Sequence, residues 1–250
     1  MMKNSLLYKL LQWAYHFCIN SFYSLKGLLI GNNKPFKIDG LLFNFPPSPL
    51  KDIGRRFQAY EATERFMVKN YLSQNDIVLE LGACLGVVSC VTNAKLNFSN
   101  HHVVVEPNPR MVRLLAKNRD INKANFLIEQ CVISKEEEIK FFLYDEYMSS
   151  SLIQRSNRKG QEEITVKGMS IEQLSLKTNL KFNTLIMDIE GGELDVIKHT
   201  DLDSFQKLMI EYHPKVLSSQ DRVLYESILS ENQFVLKDQS QNVEYWEKLA

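Results

Sequence analysis

The sequence predicts an α/β fold: a mostly parallel sheet covered on both faces by helices, closed by a C-terminal antiparallel hairpin. Two observations carry this. From residue 76 onward, short apolar runs alternate with amphipathic segments, the pattern of a parallel sheet. Early in that alternation, Ile77-Val-Leu-Glu-Leu-Gly-Ala-Cys-Leu-Gly86 reads as a buried strand, a tight turn and the start of a helix. Glycines at such a turn let backbone approach a ligand closely, and the helix N-terminus offers free N–H groups.

The elements follow in order. Residues 5–30 place apolar side chains such as Leu6, Leu10, Phe17 and Leu25 at helical spacing, opposite Lys9, Gln12 and Asn20. Two readings stay open for this amphipathic segment. It packs against protein, either the domain or a second copy of the chain, or it is an interfacial membrane anchor, as its lysines, Trp13, Tyr15 and Tyr23 suggest. Asn44-Phe-Pro-Pro-Ser-Pro49 cannot continue a helix or a central strand. It divides an N-terminal helical extension and linker, residues 1–50, from a main domain, residues 51–250. Within the latter, Gly54–Leu72 reads as helix, with Tyr60, Thr63, Phe66, Met67 and Leu72 on its buried side.

Strands are expected at Asp76–Leu81, His102–Val105, Asn125–Ile133, Asn183–Ile189 and Leu208–Tyr212. Ile139–Tyr144 and Ile164–Lys167 read as extra strands around a polar loop, Met148–Gln161. Helices are expected at Val87–Lys95, from Pro109 to about Lys123, and at Ile171–Leu176, Gly192–His199 and Gln220–Ser230. Phe234–Lys237 and Val243–Trp246 form the closing hairpin, which places one antiparallel strand in the sheet.

Composition narrows the function classes. Thirty basic and thirty acidic residues in 250 give zero formal charge, so the whole protein is not a nucleic-acid binder by charge. Residues 1–60 nevertheless hold eight basic residues against Asp39 and Asp52, a basic arm suited to an anionic surface. Cys18, Cys84, Cys90 and Cys131 form no CxxC pair and no zinc-type cluster, as expected of free thiols in a reducing compartment. No uncharged apolar run reaches 18 residues, and no signal-peptide cleavage pattern is evident. The expected location is cytoplasmic, with peripheral contact at the inner membrane face through residues 5–30.

Three acidic residues stand at strand ends: Glu80, Glu106 and Asp188. In an open parallel sheet ligands sit outside the carboxyl ends of the strands. Glu106 lies twenty residues after Gly86, where a carboxylate can accept from both ribose hydroxyls. A dinucleotide fingerprint needs a third glycine at the right spacing, and Gly82-Ala-Cys-Leu-Gly86 lacks it. An acidic residue two before the first glycine and a second glycine four after it suit S-adenosylmethionine, whose amino-acid part meets the turn.

Four segments in order, Val78–Gly86, Val105-Glu-Pro-Asn-Pro109, Leu185-Ile-Met-Asp-Ile-Glu-Gly-Gly-Glu193 and Ile210-Glu-Tyr-His213, resemble the FkbM family of S-adenosylmethionine-dependent methyltransferases. The resemblance runs from about Tyr60 to Gln233 and leaves the N-terminal arm outside. The most family-specific piece is Asp188-Ile-Glu-Gly-Gly-Glu193. The resemblance implies a Rossmann-like class I methyltransferase fold with a mostly parallel seven-stranded sheet. It implies that Glu80, Gly82, Ala83, Cys84 and Gly86 line the methionine moiety and that Glu106 holds the ribose. Pro107, Asn108, Val132 and Ser134 would flank the adenine, Asp188 would sit by the sulfur, and Tyr60-Glu61 would close over the pocket. The chain departs from the family at Glu80, Cys84 and Lys135, where Asp, Asn and Asp are usual, and at the second glycine of Gly191-Gly192, often Ala.

Methyl transfer to a hydroxyl needs a group to take the acceptor's proton. Asp188, Glu190, Glu193, Glu211 and His213 are the candidates near the right strand ends. Of these, Asp188, Glu190 and His213 are expected to be catalytic, and no residue is assigned to a metal. Arg155, Arg158 and Lys159 make Met148–Gln161 either an ordinary surface loop or a lid for an acidic acceptor. The expected reaction is O-methylation of a sugar, glycolipid or secondary metabolite. A nitrogen or carboxyl acceptor, and a non-catalytic membrane- or partner-binding module, are the rival readings.

Overall fold

The structure, a computed structural model, describes residues 35–45, 59–144 and 162–249. The amphipathic segment 5–30, the proline run 46–49 and the loop 148–161 lie outside the described residues. The chain divides into two compact units, residues 1–62 and 63–250.

In the first unit, β1 (Phe36–Ile38) pairs antiparallel with β2 (Leu41–Phe43). Asp39 and Gly40 link them at φ 50° and 88°. A two-residue hairpin turn of this kind needs positive φ at both positions, which Asp-Gly supplies. That dipeptide is the sequence signal for a hairpin the strand reading above omits. Phe45 packs edge-on against Phe36 and against Tyr60.

The second unit contains the sheet. Its strands are β3 (Val78–Leu81), β4 (His102–Val105), β5 (Leu127–Glu129), β9 (Thr184–Met187), β10 (Lys207–Glu211), β11 (Phe234–Ser240) and β12 (Val243–Lys248). They lie in the order β11-β12-β10-β9-β3-β4-β5. β3, β4, β5, β9 and β10 run parallel, and β12 enters antiparallel between β10 and β11. The strand order reverses between β3 and β9, whose carboxyl ends therefore open the crevice where such sheets bind ligands. β3, β4 and β9 are buried at every residue, which explains their continuous apolar runs.

Six helices are described: α1 (Ala62–Tyr71), α2 (Val87–Lys95), α3 (Pro109–Ile121), α4 (Ile171–Thr178), α5 (Glu193–His199) and α6 (Ser219–Glu231). The α3 start follows from sequence: Asn108 caps it by accepting from Arg110 N–H at 2.9 Å, with Pro109 in the first turn. In α1 the buried side consists of Arg65, Met67 and Val68, while Phe66 is 52% exposed, contrary to the expectation for that residue.

Asn125–Ile133 is not one strand. β5 ends at Glu129, and β6 (Val132–Ile133) pairs with β8 (Glu162–Met169), which also pairs with β7 (Glu138–Leu143) in a separate three-stranded sheet. Cys131 N–H turns back onto the Glu129 carbonyl at 3.2 Å, closing a three-residue turn between the sheets. Val132, Phe141, Leu143 and Val166 give the small sheet its own core.

Candidate active site

The turn after β3 is fixed by its neighbours. Asp188 N–H donates to the Leu81 carbonyl at 3.0 Å, carrying the β3–β9 pairing one residue past the strands. A Cβ on Gly82 would stand 1.7 Å from the Asp188 carbonyl oxygen, and Gly82 has φ 86°. Only glycine fits there. Gly86, at φ 77°, begins α2, and a Cβ on it would meet Leu115 Cδ1 at 2.3 Å. Between them Cys84 holds φ 47°, a left-handed conformation that asparagine tolerates better than cysteine.

This geometry aims the Cys84 N–H at Glu106 Oε2, 2.8 Å away, while Asn108 N–H donates to Glu106 Oε1 at 2.8 Å. Burial pushes the Glu106 carboxyl up to about 7, against the pull of those two N–H donors. The group closes the end of β4 with both oxygens fixed by backbone.

Glu80 has a different setting. It is 2% exposed, accepts from Ser89 Oγ at 2.5 Å and meets His102 Nε2 at 3.1 Å. Its carboxylate ties β3 to α2 and β4 beneath the turn.

A cavity opens above these strand ends, with about 830 Å³ of empty space including its mouth. Gly82, Cys84, Glu106, Pro107, Val132 and Asp188 line it, as does Glu190. Its walls on the β4 side are apolar, with Val105, Met111, Ile133 and Phe141. Glu80, Ala83, Gly86, Asn108 and His213 do not line it. Ser134 faces a neighbouring surface groove.

The β9 side is acidic. Asp188 follows β9, and the chain then turns through Glu190 at φ 59° and Gly191 at φ 111° into α5. Glu193, the first residue of α5, is fully buried. Its Oε1 accepts from Gly191 N–H at 3.0 Å and lies 2.8 Å from His213 Nδ1. The other ring nitrogen, Nε2, stands 3.6 Å from Asp188 Oδ1. Burial alone would lower the His213 pKa, but the hydrogen bond and charge of Glu193, with Glu211 and Glu190 nearby, outweigh it and raise the value. Glu211 ends β10 and lies beside Glu64, whose carboxyl is held well above the usual range, first by burial and then by Glu211. Asp188, Glu211 and His213 each offer an atom within 4.8 Å of the others. Glu193 holding His213 is a pairing that strand-end reasoning misses, because α5 and the segment after β10 meet only in the fold.

Residues 80–236 match the model of the methyltransferase FkbM domain. The chain belongs to the FkbM methyltransferase family. It is thus a methyltransferase, and the sheet order, with its antiparallel strand near one edge, is the fold the resemblance implied. None of the curated proteins matches the chain. Among solved structures, a candidate S-adenosylmethionine-dependent methyltransferase from Streptococcus mutans is similar at TM-score 0.50 and 10% identity, over 84% of this chain and 54% of that one. A ribosomal protein L11 methylase from Lactobacillus delbrueckii gives 0.46 and 11%, over 77% and 80%. An O-methyltransferase from Bacillus cereus in complex with SAH gives 0.45 and 12%, over 75% and 81%. At such identities the likeness is one of fold alone. Among the described residues of this FkbM-family chain, no helix is long and apolar enough to cross a membrane.

Proposed function

We propose that this FkbM-family enzyme transfers a methyl group from S-adenosylmethionine to a hydroxyl oxygen of a sugar, glycolipid or secondary metabolite. The observation that supports this best is the polarity of the cavity. One end carries Glu106, desolvated and held by two backbone N–H groups, and the other carries Asp188 and Glu190 with His213 behind them.

The cavity suits the cofactor. A buried carboxylate at the end of β4 is a natural acceptor for ribose hydroxyls, and Pro107, Met111 and Val132 offer apolar surface to an adenine ring. The glycine turn leaves room for the amino-acid part. When bound, the cofactor supplies a methyl carbon activated by its sulfonium.

The chain's own contribution is alignment and proton handling. An alcohol is a weak nucleophile unless its proton is taken as attack proceeds. Asp188, Glu190 and His213 give the rim on the β9 side acceptors for that proton. Glu193 on Nδ1 turns Nε2 of His213 toward Asp188.

Labelled methyl transfer to a panel of hydroxyl-bearing glycans and lipids tests this reading. A product whose label survives mild base on a hydroxyl-bearing acceptor without nitrogen supports an ether, whereas label released as methanol indicates a carboxyl acceptor and contradicts transfer to a hydroxyl.

A further inference from the structure

We propose that Asp188, Glu211 and His213 form a site for one divalent metal ion at the edge of the cavity. The inference rests on the methyl-transfer reading and deepens it, since the ion would bind the acceptor oxygen beside Asp188.

The first observation is the donor set. Two carboxylates and an imidazole come from two adjacent strand ends, β9 and β10, with one atom of each within 4.8 Å of the others. Donors on one small divalent ion stand about 3 to 4.4 Å apart, given metal–ligand distances of roughly 2.0–2.2 Å. The His213 Nε2–Asp188 Oδ1 spacing of 3.6 Å falls in that range. One nitrogen with two carboxylates suits a first-row ion such as Mn²⁺, which accepts both donor types.

The second observation is Glu193, which is no part of the donor set. It is fully buried, its Oε1 holds His213 Nδ1, and its Oε2 has no partner among the described residues. A buried carboxylate hydrogen-bonded to one ring nitrogen favours positive charge on the imidazole or on an ion at its other nitrogen. Histidines that bind metal commonly present their other ring nitrogen to such a carboxylate, which fixes the ring and its tautomer. Here the fixed nitrogen is Nδ1, and Nε2 is the one directed at Asp188.

The site's chemical use follows from its place. Asp188 lines the cavity, whereas Glu211 and His213 sit behind it. An ion held by Asp188 would be within reach of an acceptor oxygen bound in the cavity. A hydroxyl oxygen bound to such an ion loses its proton near neutral pH far more readily than a free alcohol. On this reading His213 serves as a ligand, and Glu190, which also lines the cavity, remains to accept the proton.

Titration of the metal-free full chain with Mn²⁺, followed by electron paramagnetic resonance and by melting temperature, tests the proposal. The expected result is one ion per chain and a rise in melting temperature. Glu211→Gln and Asp188→Asn should weaken binding at least tenfold, and Glu193→Gln by about 10- to 100-fold through the second shell. Circular dichroism identifies any variant that fails to fold, and the wild-type titration stands without them. Absence of Mn²⁺ binding by the wild type, or binding unchanged in all three variants, overturns the proposal. Methyl transfer that persists undiminished in EDTA contradicts the ion's part in activating the acceptor and leaves hydroxyl methylation standing. Mn²⁺ binding lost in the variants, with no hydroxyl ever methylated, upholds the site and removes the reaction.

Discussion

Cys84 stands at φ 47°, where a side chain is strained and asparagine is tolerated best among the larger residues. Its backbone N–H, not its thiol, reaches Glu106. Cys84→Asn should therefore keep cofactor binding and raise stability by about 0.5 kcal/mol, read as a higher urea midpoint. Gly82→Ala should act in the opposite sense. Positive φ alone costs about 1–3 kcal/mol, and the added methyl must displace the Asp188 carbonyl. The expected outcome is a lower urea midpoint together with weaker binding of S-adenosylhomocysteine. Glu106 adds a pH signature. Its carboxyl in the folded chain titrates near 7, raised by burial, so the protonated form is favoured on folding. Its contribution to stability is present below the unfolded value near 4.5 and is lost as pH rises through about 7. Ribose hydroxyls donate to the ionised form, so cofactor affinity should rise with pH across the same window and level off above it. Calorimetry from pH 5.5 to 8.5 reads that trend, and a flat profile would contradict it.

At the scale of elements, the chain was legible wherever local pattern and burial agree. Val87–Lys95 and His102–Val105 fall where apolar periodicity places them, because a helix between two buried strands has few alternative registers. The closing hairpin and its single antiparallel strand were equally readable. The break at Gln130–Cys131 was not. An apolar run shows that a segment is extended and buried, but not that a backbone turn sends its second half to another sheet. The β1–β2 hairpin was marked by Asp39-Gly40, although its strands are too short for periodicity to register. Among the residues that line the cavity, Gly82, Glu106 and Asp188 were legible as a group because strand ends and glycine turns are sequence-local. Glu80 shows the limit of that reasoning. Its position two residues before Gly82 suits a ligand contact, but position alone does not show that Ser89 on α2 and His102 on β4 bind its carboxylate. The Glu193–His213 pair was hidden for the same reason, twenty residues separating its members.

For the whole molecule, the sheet brings the carboxyl ends of six strands to one side, and the site draws on β3, β4, β9 and β10. Net neutrality conceals the basic arm of residues 1–60, and the two readings of residues 5–30 differ in what they bury against. Deleting residues 5–30 separates them. Packing against protein predicts a lower melting temperature or loss of a dimer in light scattering. A membrane anchor predicts loss of binding to anionic vesicles with melting temperature unchanged. The central claim is that the cavity above β3 and β4 binds S-adenosylmethionine through Glu106. Calorimetric titration of S-adenosylhomocysteine into wild type, Glu106→Ala and Glu106→Gln addresses it most directly. A hydrogen bond to a charged group contributes about 1.5–3 kcal/mol, so the account predicts one site per chain in the wild type and affinity lower by roughly 10- to 150-fold or more in folded variants. Equal affinity in all three proteins would contradict it.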